Sequence, residues 1–375
     1  MKSDLLVFGE DWGAHPSSTQ HLIKYLSKDR KTVWVNSIGM RRPRFSLRDF
    51  KRLTQKLSAM IQTRSSATKT SISTSDQLAA TIAPKAISWP GSSIARILNK
   101  FILARQISGH LRTLDMGRPI CWTSLPTAVD VLDQFSPRAI VYYCGDDFGA
   151  LAGVDHQPVL ACEKRLIEKA DLIIAASELL GSRFPANKTV ILPHGVDFEL
   201  FFNESQKACE EKRVQKVAGF YGSIADWVDV ELLRDTAAKL PDWRFQLIGP
   251  IQTDLNGLDK LKNVEFIEPQ PHHLLPSYVC NWDAALLPFR DNDQIRACNP
   301  LKLREYLASG TPVLATSFPA LAPYLDVVNV FRNSNELCSL LETTEKNPNQ
   351  ADRVKSESWE NRAQSLNRMF EQWDG

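Results

Sequence analysis

The sequence of 375 residues has no apolar run of about 18 residues, the length a helix needs to cross a bilayer, so no membrane span is expected. Its seven cysteines, Cys121, Cys144, Cys162, Cys209, Cys280, Cys298 and Cys338, are odd in number and nowhere form a CxxC pair. That spacing excludes a zinc ribbon, a dithiol redox motif and an iron–sulfur site, and it fits a reducing cytosol. Excess charge of one sign is missing too. Lys and Arg number 45 against 43 Asp and Glu, a balance of +2 that does not mark a nucleic-acid binder. The opening MKSDLLVFGEDWG passes from a short apolar strand directly into a polar turn, so no signal peptide is expected. What remains is the composition of a soluble globular protein, 43% hydrophobic and 23% charged. At roughly 150 residues per domain, the length suits two domains.

Short apolar runs alternate with amphipathic segments, which predicts an α/β protein with largely parallel sheets. In the first half, strands are expected at Leu5 to Gly9, Thr32 to Asn36, Ile120 to Thr123, Ile140 to Tyr143, Leu172 to Ala175 and Thr189 to Leu192, with a core-facing helix at Val159 to Lys169. In the second half they are expected at Val217 to Tyr221, Arg244 to Ile248, Val264 to Ile267, Ala284 to Pro288 and Val313 to Ala315, with a helix at Val230 to Leu240. The charged run Cys209 to Lys216 follows LPHGVDFELFFNES, which sets the expected boundary between domains 1–204 and 205–350. Residues 351–375 include an apolar helix-like stretch with Trp359, Leu366, Met369, Phe370 and Trp373, expected to pack back on the body. Ligands of open α/β sheets gather at the carboxyl ends of strands, so GEDWGAH after the first strand and CGDDFGA after Tyr143 are the expected site loops.

The run NPLKLREYLASGTPVLAT, from Asn299 to Thr316, reads as a helix built to hold an anion. Asn299 suits the N-cap, Pro300 the first helical position and Gly310 the residue past the end. Lys302 then falls in the first turn, where a cation opposes the positive end of the helix dipole unless an anion lies between them. Glu305 shares its face. Free amides, an ammonium and a carboxylate one turn deeper are what a nucleoside diphosphate requires, phosphate on the first two and ribose hydroxyls on the third. The alternative is an ordinary surface helix on which Lys302 and Glu305 pair in solvent.

From Met40 to Thr70 the chain carries Arg41, Arg42, Arg44, Arg48, Lys51, Arg52, Lys56, Arg64 and Lys69 against Asp49, with Phe45, Leu47, Phe50, Leu53 and Leu57 interleaved. Such a basic amphipathic segment suits an anionic membrane surface, or else is a solvated helix face before a Ser/Thr-rich loop.

The segments YYCGDDF, EKRLIEKADLIIAASELL, ILPHGVDFELF, GFYGSIADWVDVELL, WRFQLIGP, WDAALLPFRDN and NPLKLREYLASGTPV, in this order, resemble the GT-B glycosyltransferases. Within that fold the resemblance is to the bacterial polysaccharide group that includes xanthan glucuronosyltransferase and teichuronic acid glycosyltransferases. It implies two Rossmann-like domains with largely parallel sheets facing a central cleft. The second would bind a nucleotide-sugar donor, UDP-linked, through Lys302 on the diphosphate, Glu305 on the ribose and the Gly222-Ser223 turn close to the phosphates. Asn299, Pro300 and Arg296 border the same place.

Two departures from the family pattern stand out. Retaining relatives carry two glutamates with seven residues between them; Glu305 matches the second, but Ala297 stands where the first would be. Ile224-Ala225-Asp226-Trp227 also replaces an arginine and lysine after the turn, which leaves Lys302 and Arg290 to carry the diphosphate charge. Inverting transfer needs a base for the acceptor hydroxyl. Asp146 and Asp147 are the catalytic candidates, Asp146 as base and Asp147 as cap of the next helix. Glu10, Asp11 and Trp12 would face the acceptor, a saccharide that is free or lipid-linked. His15, His21 and His194 stay outside the catalytic set. No metal or other cofactor is expected, because the lysine-bearing helix terminus supplies the compensating charge; a metal at Asp146 and Asp147, or at Asp291 and Asp293, is the weaker option. The implied place is the cytoplasm, peripheral on the inner face of the membrane. A nucleotide-sugar epimerase of the same architecture and a non-catalytic nucleotide-sugar-binding module remain as alternatives.

Overall fold

Runs of four to six apolar residues, buried on both faces, are what a parallel sheet covered by helices on each side demands. The computed structural model describes residues 2–13, 17–38, 78–87, 89–151, 154–207, 215–347 and 349–375, and the basic run Met40 to Thr70 and His15 lie outside them. The chain divides into two units, Met1–Ala175 with Gly181–Val190 and Leu366–Gly375, and Ala176–Leu180 with Ile191–Ser365.

The first unit is built on strands β1 (Leu5–Phe8), β2 (Thr32–Val35), β3 (Ala80–Ile82), β4 (Ile120–Thr123), β5 (Ala139–Cys144), β6 (Leu172–Ala175) and β7 (Thr189–Ile191). They lie in the order β3-β2-β1-β4-β5-β6-β7. The pairs from β3 through to β6 are parallel, with Leu5 opposite both Thr32 and Ile120. Helices α1 (Ser18–Leu26), α2 (Ser93–Thr113) and α3 (His156–Lys169) accompany the sheet, and α4 (Glu178–Gly181) follows β6.

The second unit begins its sheet after α5 (Phe198–Lys207). Its strands are β8 (Lys216–Tyr221), β9 (Trp243–Ile248), β10 (Val264–Ile267), β11 (Ala284–Leu287), β12 (Val313–Thr316) and β13 (Val328–Phe331), in the all-parallel order β10-β9-β8-β11-β12-β13. Helix α6 (Val230–Lys239) links β8 to β9, and α7 (Leu275–Val279) precedes β11. Helices α8 (Asp293–Ala297) and α9 (Leu301–Ala308) lie between β11 and β12, and α10 (Ser334–Thr343) and α11 (Trp359–Phe370) close the chain. In each unit the strand order reverses beside the first strand, at β1/β4 and at β8/β11, the switch point where ligands of open α/β sheets bind.

The units change over at Val190/Ile191 rather than at 204/205, because Phe198 and Phe201 of α5 are buried in the second core. The stretch 351–375 is not one separate piece. Ala351 and Val354 belong to the second core, whereas Leu366–Gly375 counts with the first unit, where the buried Arg30 donates to both carboxylate oxygens of Asp374 at 2.6 and 2.9 Å. Strands β3 and β13 were not expected from sequence. Both are sheet edges; β3 is three residues long, and in β13 only Val328 and Phe331 are buried, so neither carries the continuous apolar signal of the interior strands.

Candidate functional sites

In the second unit, α9 carries Lys302 at its second position and ends with Gly310 at φ +70°, as a left-handed residue past a helix end should. Its start differs from expectation. Asn299 does not cap it: this buried amide donates to the Ala176 carbonyl at 2.8 Å and accepts from Nη1 of Arg304 at 2.6 Å. A guanidinium that is 3% exposed must have its donors satisfied, and that need takes precedence over a helix amide that a ligand or water can reach. Pro300 therefore occupies the N-cap and offers no side-chain acceptor, so the first turn of α9 has no side-chain cap.

Arg304 also fastens α9 through Glu357, whose Oε2 lies 2.7 Å from Nε and whose carboxylate accepts from the Tyr324 hydroxyl at 2.8 Å. Removing one member of such a pair strands the other charge. Glu357→Ala is expected to lower the unfolding free energy by about 3 kcal/mol in urea titration, and a loss below about 1 kcal/mol would contradict the anchoring role.

Lys302 has no ion pair among the described residues. Its Nζ sits 5.0 Å from the Phe220 ring centre and 5.5 Å from that of Phe289, at the ends of β8 and β11. Burial lowers its pKa from the ordinary lysine value, opposed by Cys298 and Glu305. Directly over it runs the Gly222-Ser223 turn. Gly222 has φ +128°, and a Cβ there would meet Nζ at 2.7 Å; Gly249, at φ +140°, would in turn strike the Gly222 carbonyl oxygen at 2.2 Å. Gly222→Ala is thus expected to displace the ammonium and cost about 1 kcal/mol or more of stability, read by thermal melting and by UDP titration; wild-type values for both would contradict the packing.

Glu305, 7% exposed, accepts from the Tyr221 hydroxyl and lies 2.7 Å from Nε2 of His272. Tyr221 is held in turn, its amide donating to the Tyr306 hydroxyl at 3.0 Å. The expected site did not include His272 or Tyr221. His272 stands in the loop after β10, a strand-end position that was the available signal, while Tyr221 reads in sequence only as the last residue of a strand.

The remaining expected donor residues are more peripheral. Ser223 is half-buried in the turn. Arg290 is 44% exposed, its Nε 3.9 Å from Asp229, the capping residue of α6. Arg296 pairs with Asp291 at 2.7 Å and with Asp293 at 3.4 Å, so these acids serve a solvated ion pair. Ala297 is buried, its carbonyl accepting from the Ser177 hydroxyl at 3.1 Å, and Ile224 and Ala225 are buried apolar residues.

In the first unit, Glu10 follows β1 and Asp146 follows β5, the two neighbours of β4. Asp146 is exposed, yet the surrounding protein and the Asp147 charge hold its carboxyl above the usual range. Burial likewise raises Glu10, which accepts from Ser17 and from Gln20 at 3.2 Å and is repelled by Asp11 and Asp146. Asp147 does not cap the next helix. Its Oδ1 accepts from the Gly149 amide at 2.8 Å and pairs with Arg183 at 2.5 Å, while Asp155 stands at the N-cap of α3. The residues GAL after Phe148 turn before the helix can begin, so Asp147 closes that turn instead.

Asp11 is exposed and accepts from the Ser37 amide at 3.3 Å. Trp12 packs edge-on against Trp34, centroids 4.7 Å apart. At the end of β4 and just beyond, Trp122 Nε1, Ser124 Oγ and Thr127 Oγ1 are buried without a hydrogen-bond partner among the described residues. Sequence reasoning had passed over all three.

No family model matches the chain. In sequence it is similar to TuaH of Bacillus subtilis (strain 168), provisionally named a teichuronic acid biosynthesis glycosyltransferase. The two are 27% identical over 226 residues, 54% of this chain and 57% of TuaH, so the chain spans just over half the length of that curated relative. In structure it is similar to sucrose-phosphate synthase from Thermosynechococcus elongatus, with a TM-score of 0.71 and 16% identity over 99% of each chain. It is similar also to HepE of Anabaena in complex with UDP and glucose, with a TM-score of 0.58 and 15% identity over 98% of this chain and 95% of that one. A third likeness is to the Escherichia coli trehalose-6-phosphate protein bound with UDP-2-fluoro glucose, with a TM-score of 0.62 and 12% identity over 99% of each. These likenesses establish the fold: two Rossmann-like α/β units of the GT-B type, as the sequence resemblance implied.

Proposed function

We propose that the protein transfers a sugar from a nucleoside diphosphate donor, UDP-linked, to a hydroxyl of a saccharide acceptor during assembly of an envelope or extracellular polysaccharide. The carrying observation is Lys302: an ammonium without an ion-pair partner among the described residues, at the uncapped start of α9, under a turn whose Gly222 holds a positive φ and packs on it. A diphosphate would meet the helix amides and this ammonium together, which removes the need for a divalent ion. Arg290 would reach the outer phosphate oxygens. Glu305, held between the Tyr221 hydroxyl and His272, would take the ribose hydroxyls on its carboxylate. UDP in the HepE structures and the name given to TuaH support the same reading.

On the acceptor side, Asp146 is the proposed base. A carboxyl raised above its usual range accepts a proton more readily once ionised, and with Ala297 in place of a carboxylate, transfer is expected to invert the anomeric centre. Glu10, Asp11 and Trp12 would border a hydroxyl-rich acceptor, lipid-linked in keeping with a peripheral place on the cytoplasmic membrane face. The basic run 41–69 would help hold it there.

The test is a panel of UDP-sugars incubated with saccharide and lipid-linked saccharide acceptors under chelation, with UDP release followed. Acceptor-dependent release is expected. Isomerised nucleotide sugar without acceptor would replace this reading with an epimerase, and donor binding with no release on any acceptor would leave a binding module.

A further inference from the structure

Helix α2 is the longest helix among the described residues, and it is apolar on two sides. Ala95, Leu103, Ile107 and Leu111 are buried in the first unit. On the opposite side Ile94, Ile97 and Phe101 are 73, 57 and 65% exposed, with Leu98 and Ile102 beside them. A surface helix ordinarily carries one apolar stripe and a polar back. Here Ile94, Ile97, Leu98 and Phe101 follow the i, i+3, i+4, i+7 spacing of a single row, and nothing in the described unit covers it. Two more exposed apolar residues, Ile87 and Trp89, lie in the loop before the helix. That loop is fastened to it, because Asn99 accepts from the Ile87 amide at 2.7 Å and donates to its carbonyl at 2.9 Å.

The charge around this row has one sign. Residues 84–114 contain Lys85, Arg96, Lys100, Arg105 and Arg112 and no Asp or Glu. At 100° per residue Arg105 and Arg112 continue the row of Ile94 and Phe101 toward the end of the helix; both are exposed and neither forms an ion pair among the described residues. Beside Ile97 opens a groove of about 320 Å³ lined by Arg96, Lys100, Arg165 and Lys169. Asp130 is shared by Arg96 and Arg165, and Asp133 is taken by Lys169, so the groove keeps more cations than acids.

We propose that this face docks on an anionic phospholipid surface, with Ile94, Ile97, Leu98, Phe101 and Trp89 at the headgroup–acyl boundary and Lys100, Arg105 and Arg112 on the phosphates. A second copy of the chain is the poorer occupant. A twofold contact through the same face would bring these unpaired cations together with no carboxylate on the face to meet them. The proposal rests on the peripheral membrane placement in the proposed function and assigns it to this face; it does not depend on the transferase chemistry or on the basic run 41–69.

The experiment is flotation of the full chain with vesicles of phosphatidylcholine alone and of phosphatidylcholine mixed with phosphatidylglycerol. The protein is expected to float with the anionic vesicles only, and less so as salt rises. Ile94→Ser with Phe101→Ser, and separately Arg105→Glu with Arg112→Glu, should each weaken partition by at least about tenfold while circular dichroism stays unchanged. Should the serine pair fail to fold, the charge-reversed pair carries the test. No flotation of the wild type, or either folded variant floating as the wild type does, overturns the proposal. So does a concentration-dependent dimer that the serine pair abolishes in a protein that ignores vesicles.

Discussion

Asp146→Asn is expected to lose acceptor-dependent UDP release by a factor on the order of a hundred to ten thousand, the range a positioned general base contributes. The amide keeps the size of the carboxylate and cannot take the acceptor proton. Because the proposed donor groups belong to the second unit, UDP affinity should stay within about twofold of wild type, less than the tenfold step that 1.4 kcal/mol represents. The pH profile supplies an independent check. A base must be ionised to act, so activity rises as pH climbs through its pKa. With Asp146 held above the ordinary value of 3.8 by desolvation from the surrounding protein and by Asp147, the acid limb of kcat/KM should lie above that value and move down when Asp147 is neutralised. Full activity in Asp146→Asn would remove the base assignment.

Lys302→Ala carries the second large effect. One charge-assisted contact to a phosphate is worth about 1.5 to 3 kcal/mol, so UDP affinity should fall roughly ten- to a hundredfold, with the helix amides retaining the remainder. Alkaline conditions should reproduce part of this loss in the wild type. Burial lowers the Lys302 pKa in the free protein, so the ammonium begins to discharge below the ordinary lysine range and affinity falls as pH rises through it. Lys302→Arg should restore only part of the affinity, because a planar guanidinium is a poor replacement for a compact ammonium packed beside Gly222. Titration of UDP into Lys302→Ala with unchanged affinity would end this assignment.

The interior strands were legible because burial on both faces writes itself as a continuous apolar run, and β4, β6 and β11 fall where those runs lie. Edge strands β3 and β13 are half exposed and left no such trace. Lys302 and Glu305 could be paired from their spacing on one helix. The partners of Glu305 could not, since His272 and Tyr221 come from loops and strands 33 and 84 residues away. Local capping rules misplaced Asn299 for the same reason. They know the helix amide it faces in sequence but not the guanidinium of Arg304, buried against Glu357 by tertiary packing. Asp147 was misread through an unseen partner too, Arg183, which holds it in a turn rather than at a helix start. The exposed row of α2 escaped notice because a helix apolar on two sides resembles a buried one until its neighbours are known.

The central claim is that the second unit grips a diphosphate, and calorimetric titration of the wild-type protein with UDP and, separately, with UMP tests it most directly. UDP is expected to bind at least about tenfold more tightly than UMP, since the second phosphate brings the contact to Lys302 and the α9 amides. Equal affinities for the two nucleotides, or no binding of UDP, would contradict the account.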